Sequence, residues 1–252
     1  MADRSPGASA DRELPPALTP DHALFLDLDG TLALIAPRPD MVRVPRATIE
    51  VLGAASAALG GAVAVISGRA MADLDALLAP LRLPAAGCHG AEWRGADGVR
   101  HGPDAAHQAE TARIAKAVQA GAGDLLVEEK VGAVALHFRS DPLRQAECVA
   151  LMEKIAGTVE GWHVIEGKMV VEARREGATK AHAVARLMAE KPFAARVPVF
   201  VGDDVTDEDG FAAVAARGGF GIKVGTGQSA ARFRLADPTD VMAWLSSPAD
   251  GA

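Results

Sequence analysis

Three short unbroken apolar runs constrain this chain most: ALFL (Ala23–Leu26), AVAVI (Ala62–Ile66) and VPVFVG (Val197–Gly202). None is long enough for a buried helix, and none alternates with polar residues. Each therefore reads as a strand covered on both faces. Between them lie segments with helical periodicity. Ala47–Leu59 and MADLDALLAPL precede Pro84, and Lys180–Glu190 stops before Pro192. GFGIKVG supplies a fourth strand. Strand–helix–strand alternation is built as a parallel sheet with helices on both faces, so an α/β fold with a Rossmann-like core is expected.

The middle of the chain breaks this rhythm. His107–Ala120 and Pro142–Ala156 read as helices, Gly132–Arg139 as a half-exposed strand, and WHVIEG and KMVVEARR as two strands around Gly167. Helices among antiparallel strands predict an α+β unit inserted over 103–176, acting as a cap. The core then comprises 21–102, with a strand and hairpin around Gly95–Gly98, and 177–252. The opening MADRSPGASADRELPPALTP is read as a disordered tail over 1–20.

The bulk properties remove several function classes. A net charge of −7 over 252 residues lacks the basic surplus of a general nucleic-acid binder. Cys88 and Cys148 make neither a disulfide framework nor a zinc pattern. No apolar run approaches a membrane span, and the opening has no signal-peptide core. A cytoplasmic monomer acting on a small molecule is expected.

Open α/β sheets place their chemistry beyond the carboxyl ends of the strands. The first run ends in Asp27-Leu28-Asp29-Gly30-Thr31, the second in Ser67-Gly68-Arg69, and the third in Gly202-Asp203-Asp204 followed by VTDED. Lys180 opens the helix before that third run. This set suits phosphoryl transfer. An aspartate attacks phosphorus and splits one hard displacement into two easier ones. A hard cation such as Mg2+ offsets the repulsion between two anions. Lys180 and the Ser67 hydroxyl are suited to phosphoryl oxygens, and a second carboxylate, Asp29, to proton transfer. Taken singly, each motif has an ordinary explanation. An Asp after a strand is a common cap, and DDVTDED is a normal helix start. Asp-x-Asp-Gly also opens calcium loops, although the closing Glu is missing here. The agreement of four positions favours the chemistry. Spacing alone does not tell nucleophile from acid among Asp27 and Asp29.

DLDGTL, ISGR, a helix-opening Lys and VGDDVTDEDGF, in that order, resemble the haloacid dehalogenase superfamily of phosphatases. The resemblance implies that Asp27 is the nucleophile and Asp29 the acid and base. It implies a phosphate site of Asp27, Asp29, Gly30, Ser67, Gly68 and Lys180. It further implies that Asp203 completes a Mg2+ site with Asp27 and the Asp29 carbonyl, with Asp204 and Asp207 behind these ligands. The insertion resembles the type of cap in which a sheet covers the active site. DGTLALIAPRPDMVRVP, GCHGAEWR, VEEKVGAVALHFR and GKMVVEARREGATK are similar to trehalose-6-phosphate phosphatases. That resemblance implies hydrolysis of a sugar phosphate, trehalose 6-phosphate.

The cap residues fit a sugar. Glu128 and Lys130 share a face if their segment is extended, and carboxylates with a lysine match the donors and acceptors of hydroxyls. The family comparison assigns Glu128, Lys130 and Glu172 to glucose hydroxyls. Arg69 and His89 join the substrate side as further candidates, while His137 and Arg139 are open between substrate, interdomain and structural roles. Two positions depart from the family pattern: Ala181 replaces a usual Gly, and Arg175 a usual Pro. Sucrose 6-phosphate and mannosyl-3-phosphoglycerate are alternative substrates. A phosphoacceptor switch and a non-catalytic sugar binder are alternative classes.

Overall fold

The computed structural model describes residues 14–167, 169–177 and 179–247. The first half of the core runs β1 (His22–Leu26), α1 (Arg46–Ala58), β2 (Val63–Ile66), α2 (Met71–Leu78), β3 (Ala85–Gly87), β4 (Glu92–Arg94) and β5 (Arg100–His101). The middle follows as α3 (Ala105–Gly121), β6 (Leu126–Lys130), β7 (Ala133–His137), α4 (Gln145–Ala156), β8 (Trp162–Gly167) and β9 (Val170–Arg175). The chain returns through α5 (Lys180–Met188), β10 (Val197–Gly202), α6 (Glu208–Ala215), β11 (Phe220–Val224), β12 (Phe233–Leu235) and α7 (Pro238–Leu245).

Eight strands form the large sheet in the order β12-β11-β10-β1-β2-β3-β4-β5. The pairs from β12 to β3 are parallel, and β4 and β5 add an antiparallel edge. The apolar runs occupy its centre: Ala23–Leu26 and Val63–Ile66 are fully buried. Phe25 stacks on Phe193 at 5.4 Å, and Phe200 meets Phe211 edge-on at 5.7 Å. The chain first builds outward from β1 through β2 and β3, then returns to its other side with β10, β11 and β12. The strand order therefore reverses at β1, and the crevice beyond its carboxyl end is where such sheets bind ligands.

The second sheet has the order β6-β7-β9-β8, antiparallel throughout. One face lies on α3 and α4, where Val134, Leu136, Val171 and Ala173 pack with Ile114, Val118, Cys148 and Met152 in their own apolar cluster. Register puts Glu128, Ala135 and Glu172 in one row across the other face, and Lys130, Ala133, Arg174 and His163 in the next.

Two expectations differ, and two elements go beyond them. The half-exposed strand expected at Gly132–Arg139 is buried from Ala133 to Leu136, because β7 is central, with neighbours' long side chains overlying its alanines. The tail expected over 1–20 is ordered where it is described. Pro15 is buried, Leu18 packs on the core, and the Pro16 carbonyl accepts the Trp244 indole N–H at 3.0 Å. Residues 1–13 lie outside the described residues. β12 and α7 were not anticipated. Phe233–Leu235 is too short to announce a strand, and it joins the sheet only through its pairing with β11.

Candidate active site

β1 delivers Asp27 to the sheet edge, where its N–H donates to the Val201 carbonyl at 2.9 Å and its side chain is buried. The chain then turns sharply. The Leu28 carbonyl accepts the Leu32 and Ala33 N–H groups, and Gly30 takes φ +83. A Cβ at residue 30 would collide with the Asp203 carboxylate, so this turn needs glycine for both conformation and room.

Lys180, the first residue of α5, is 3% exposed and donates to Asp27 Oδ1 at 2.7 Å and Asp207 Oδ1 at 2.5 Å. The other Asp207 oxygen accepts the Asp204 N–H at 2.8 Å, closing a capping box around the turn after β10. Burial, reinforced by Asp207 and Asp203 against the pull of Lys180, pushes the Asp27 carboxyl up to about 8. Burial, with Asp207 and Asp204, likewise pushes Asp203 up to about 6. Lys180 is held above the ordinary lysine range, because its two carboxylate partners outweigh burial.

Oxygens of Asp27, Asp203 and Asp207 come within 4.8 Å of one another. These residues fit a hard divalent cation. The donors are all carboxylate oxygens, and burial, followed by their mutual crowding, raises two of their pKa values, a cost that a cation would relieve. Asp207 already spends one oxygen on Lys180 and the other on the Asp204 N–H, which leaves Asp27 and Asp203 as the freer donors. Asp204 is exposed and accepts the Val205 N–H at 2.7 Å. Thr31 Oγ1 donates to Asp203 Oδ1 at 3.3 Å.

The second apolar run brings in Ser67, buried, whose Oγ accepts the Arg69 N–H at 3.2 Å. Arg69 does not stand free toward a substrate. Its guanidinium grips both oxygens of Asp29, at 2.6 and 2.8 Å. The two residues lie 40 apart in the chain, and nothing in the sequence reading joined them. The Asp29 carboxylate is thus occupied by Arg69 and stands outside the acidic cluster.

His89 adopts φ +56, and its Nε2 would lie 2.7 Å from a Cβ at residue 68, so Gly68 provides the space for the ring. Burial, followed by the Lys180 charge, pushes the imidazole down to about 4, and His89 Nδ1 has no partner among the described residues.

On the facing sheet, Lys130 bridges to Glu172 at 3.0 Å, passing over the alanines of β7, while His137 pairs with Glu128 at 2.9 Å. A cleft of about 590 Å³ separates the two sheets' facing groups; Asp29, Arg69, Glu128, Lys130, His137 and Arg139 line it. Two site residues escaped the sequence reading. Lys223 is buried and donates to the Asp203 carbonyl. Its signal was a charge inside the apolar strand GFGIKVG. Arg174 lies two residues beyond Glu172 on the same face of β9. That spacing was its signal.

The fold is that of the haloacid dehalogenase-like hydrolases. A hydrolase so described from B. subtilis superposes with a TM-score of 0.67 over 88% of this chain and 98% of that one, at 14% identity, a likeness of fold alone. The model of the trehalose-phosphatase family matches residues 25–239, and the chain belongs to that family. Trehalose-6-phosphate phosphatase of Escherichia coli (strain K12) is 43% identical over 91% of this chain and 87% of its own. A trehalose-6-phosphate phosphatase structure from Aspergillus fumigatus matches with a TM-score of 0.66 at 26% identity, covering 92% of this chain and 97% of that one.

Proposed function

We propose that this chain is a Mg2+-dependent phosphatase that hydrolyses trehalose 6-phosphate to trehalose and phosphate through an aspartyl phosphate on Asp27. The buried Asp27–Lys180–Asp207 group at the reversal point of the sheet carries this reading, together with family membership. The core, over 21–102 and 177–252, does the chemistry, and the cap, over 103–176, selects the sugar.

Asp27 attacks phosphorus, and the ester oxygen leaves as the P–O bond to the sugar breaks. Lys180 offsets charge on the phosphoryl oxygens, as does the Ser67 hydroxyl with the N–H groups of the Gly68 loop. Mg2+, held by Asp27, Asp203 and the Asp29 carbonyl, would neutralise the approaching anions. Asp207 and Asp204 brace the ligand loop, and Gly30 keeps that loop against Asp203.

Asp29 gives its proton to the departing sugar alkoxide and then takes one from the water that hydrolyses the aspartyl phosphate. Since both of its oxygens accept from Arg69, that pair must open before a proton can pass. Arg69 is then released toward the substrate, so the pair couples substrate entry to readiness of the acid. Glu128, Lys130 and Glu172 present acceptors and donors to the sugar hydroxyls, and cap closure excludes bulk water.

The test is phosphate release from a panel of trehalose, sucrose and mannosyl-glycerate phosphates, with Mg2+ and with EDTA. Release from trehalose 6-phosphate above the others, abolished by EDTA, is expected. Equal rates across the panel would remove the substrate assignment, and release that survives EDTA would remove the metal.

A further inference from the structure

Arg174 is a buried cation whose donors are largely unused. Four Lys or Arg side chains are buried among the described residues: Arg94, Arg174, Lys180 and Lys223. Arg94 pairs with Asp75 at 2.7 Å and donates to the Leu83 carbonyl, Lys180 holds two carboxylates, and Lys223 holds the Asp203 carbonyl. Arg174, 8% exposed, makes one long hydrogen bond, from Nε to His163 Nε2 at 3.4 Å, and no ion pair among the described residues. A guanidinium carries five donors, and an unpaired buried charge is costly to hold. Burial holds this one below the usual arginine range, with only Glu172 and Asp209 pulling the other way. Such a group has donors to spare for an anion brought by a ligand.

Its place says which anion. Register puts Arg174 in the same row as Lys130, beside the Gly132 turn, which packs on Ala91 of the core. The next row outward carries Glu128 and Glu172. The cap face therefore has cations toward the core and carboxylates away from it. The charges acting on His89 are those of Lys180, Glu172, Arg174 and Lys130, and the His89 ring lies on Gly68 of the Ser67 loop. Arg174 thus shares with Lys180, Lys130 and Glu172 the surroundings of His89, beside the Ser67 loop.

We propose that Arg174 is a phosphate-end contact supplied by the cap, donating to a non-bridging phosphoryl oxygen of the bound ester, while Glu128 and Glu172 take the sugar hydroxyls. The proposal rests on the function proposed above. A guanidinium fork suits phosphate geometry better than an ammonium does.

The experiment measures inorganic phosphate and trehalose separately as product inhibitors of the full chain with Mg2+. In Arg174→Met, the inhibition constant for phosphate should rise about tenfold or more while that for trehalose stays unchanged. Arg174→Lys should recover part of the loss, and it serves as the test if the Met variant does not fold. An unchanged phosphate constant overturns the proposal. So does an equal rise in both constants, which would make Arg174 a brace for the cap. Glu128→Ala and Glu172→Ala should do the reverse, weakening trehalose alone. If they do not, the sugar reading of the cap fails, whatever Arg174 shows.

Discussion

The two faces of the cleft hold their charges in opposite ways. On the core side Lys180 and Asp207 are 3% and 0% exposed, each locked by more than one partner. On the cap side Glu128 is 48% exposed and Lys130 28%, each held by a single cross-strand partner. Buried charges that satisfy one another keep one geometry, which phosphoryl transfer needs. Pairs nearer the solvent exchange partners at less cost than buried ones, which suits the sugar contacts proposed for them. The core side should therefore answer substitution with loss of turnover or of folding, and the cap side with a change of preference.

The largest effect is expected from Asp27→Asn. Loss of the attacking oxygen should abolish phosphate release, yet the fold should survive. Burial already drives Asp27 toward its neutral form, and Lys180 keeps Asp207. Purified variant with wild-type melting behaviour and no turnover is the expected result. Substantial activity would assign the nucleophile elsewhere.

Lys180→Met should follow. It leaves Asp27 and Asp207 buried without their cation, and breaking a buried pair costs about 3–5 kcal/mol. Chemical denaturation should show that loss together with loss of activity. Added Mg2+ should restore part of the stability, because the cation takes up charge that Lys180 formerly balanced. A variant as stable as wild type would mean that the core side is as loosely held as the cap.

Glu128→Ala and Glu172→Ala are the matching test of the other face. Each should raise KM for trehalose 6-phosphate about 10- to 100-fold, the scale of charge-assisted hydrogen bonds. Hydrolysis of a small aryl phosphate should be left nearly unchanged. An equal fall on both substrates would erase the distinction between the faces.

The same contrast governs what could be read before the structure. The buried strands were legible as unbroken apolar runs, and their ends pointed to Asp27, Ser67 and Asp203 because several such runs close on a carboxylate or hydroxyl at the same edge, although each one alone has an ordinary explanation. Period two put Glu128 and Lys130 on one face, while Glu172 joined them only through the family resemblance. What period and position do not carry is pairing across the chain. The grip of Arg69 on Asp29, the bridge from Lys130 to Glu172 and the open donors of Arg174 depend on which side chains meet in space. The left-handed turn at Cys88 and His89 was hidden for another reason, since cysteine does not signal a positive φ and a single histidine signals it only weakly.

His89 lies between the two faces, and it gives the smallest and most specific prediction. Its pKa falls from 6.5 to about 4 on folding, chiefly through burial and then through Lys180. The unfolded chain therefore binds a proton more readily than the folded one below pH 6.5. Stability linked to His89 is complete above that value and is lost progressively as pH falls toward 4. Between pH 7 and 5.5 the loss amounts to about 1 kcal/mol for one such group. His89→Asn removes the titration while keeping a side chain that tolerates φ +56. Denaturation midpoints of this variant should therefore fall less steeply over that interval than those of the wild type. Parallel slopes would mean that His89 titrates as a solvated imidazole. The junction of the two faces would then be as wet as the cap, not as closed as the core.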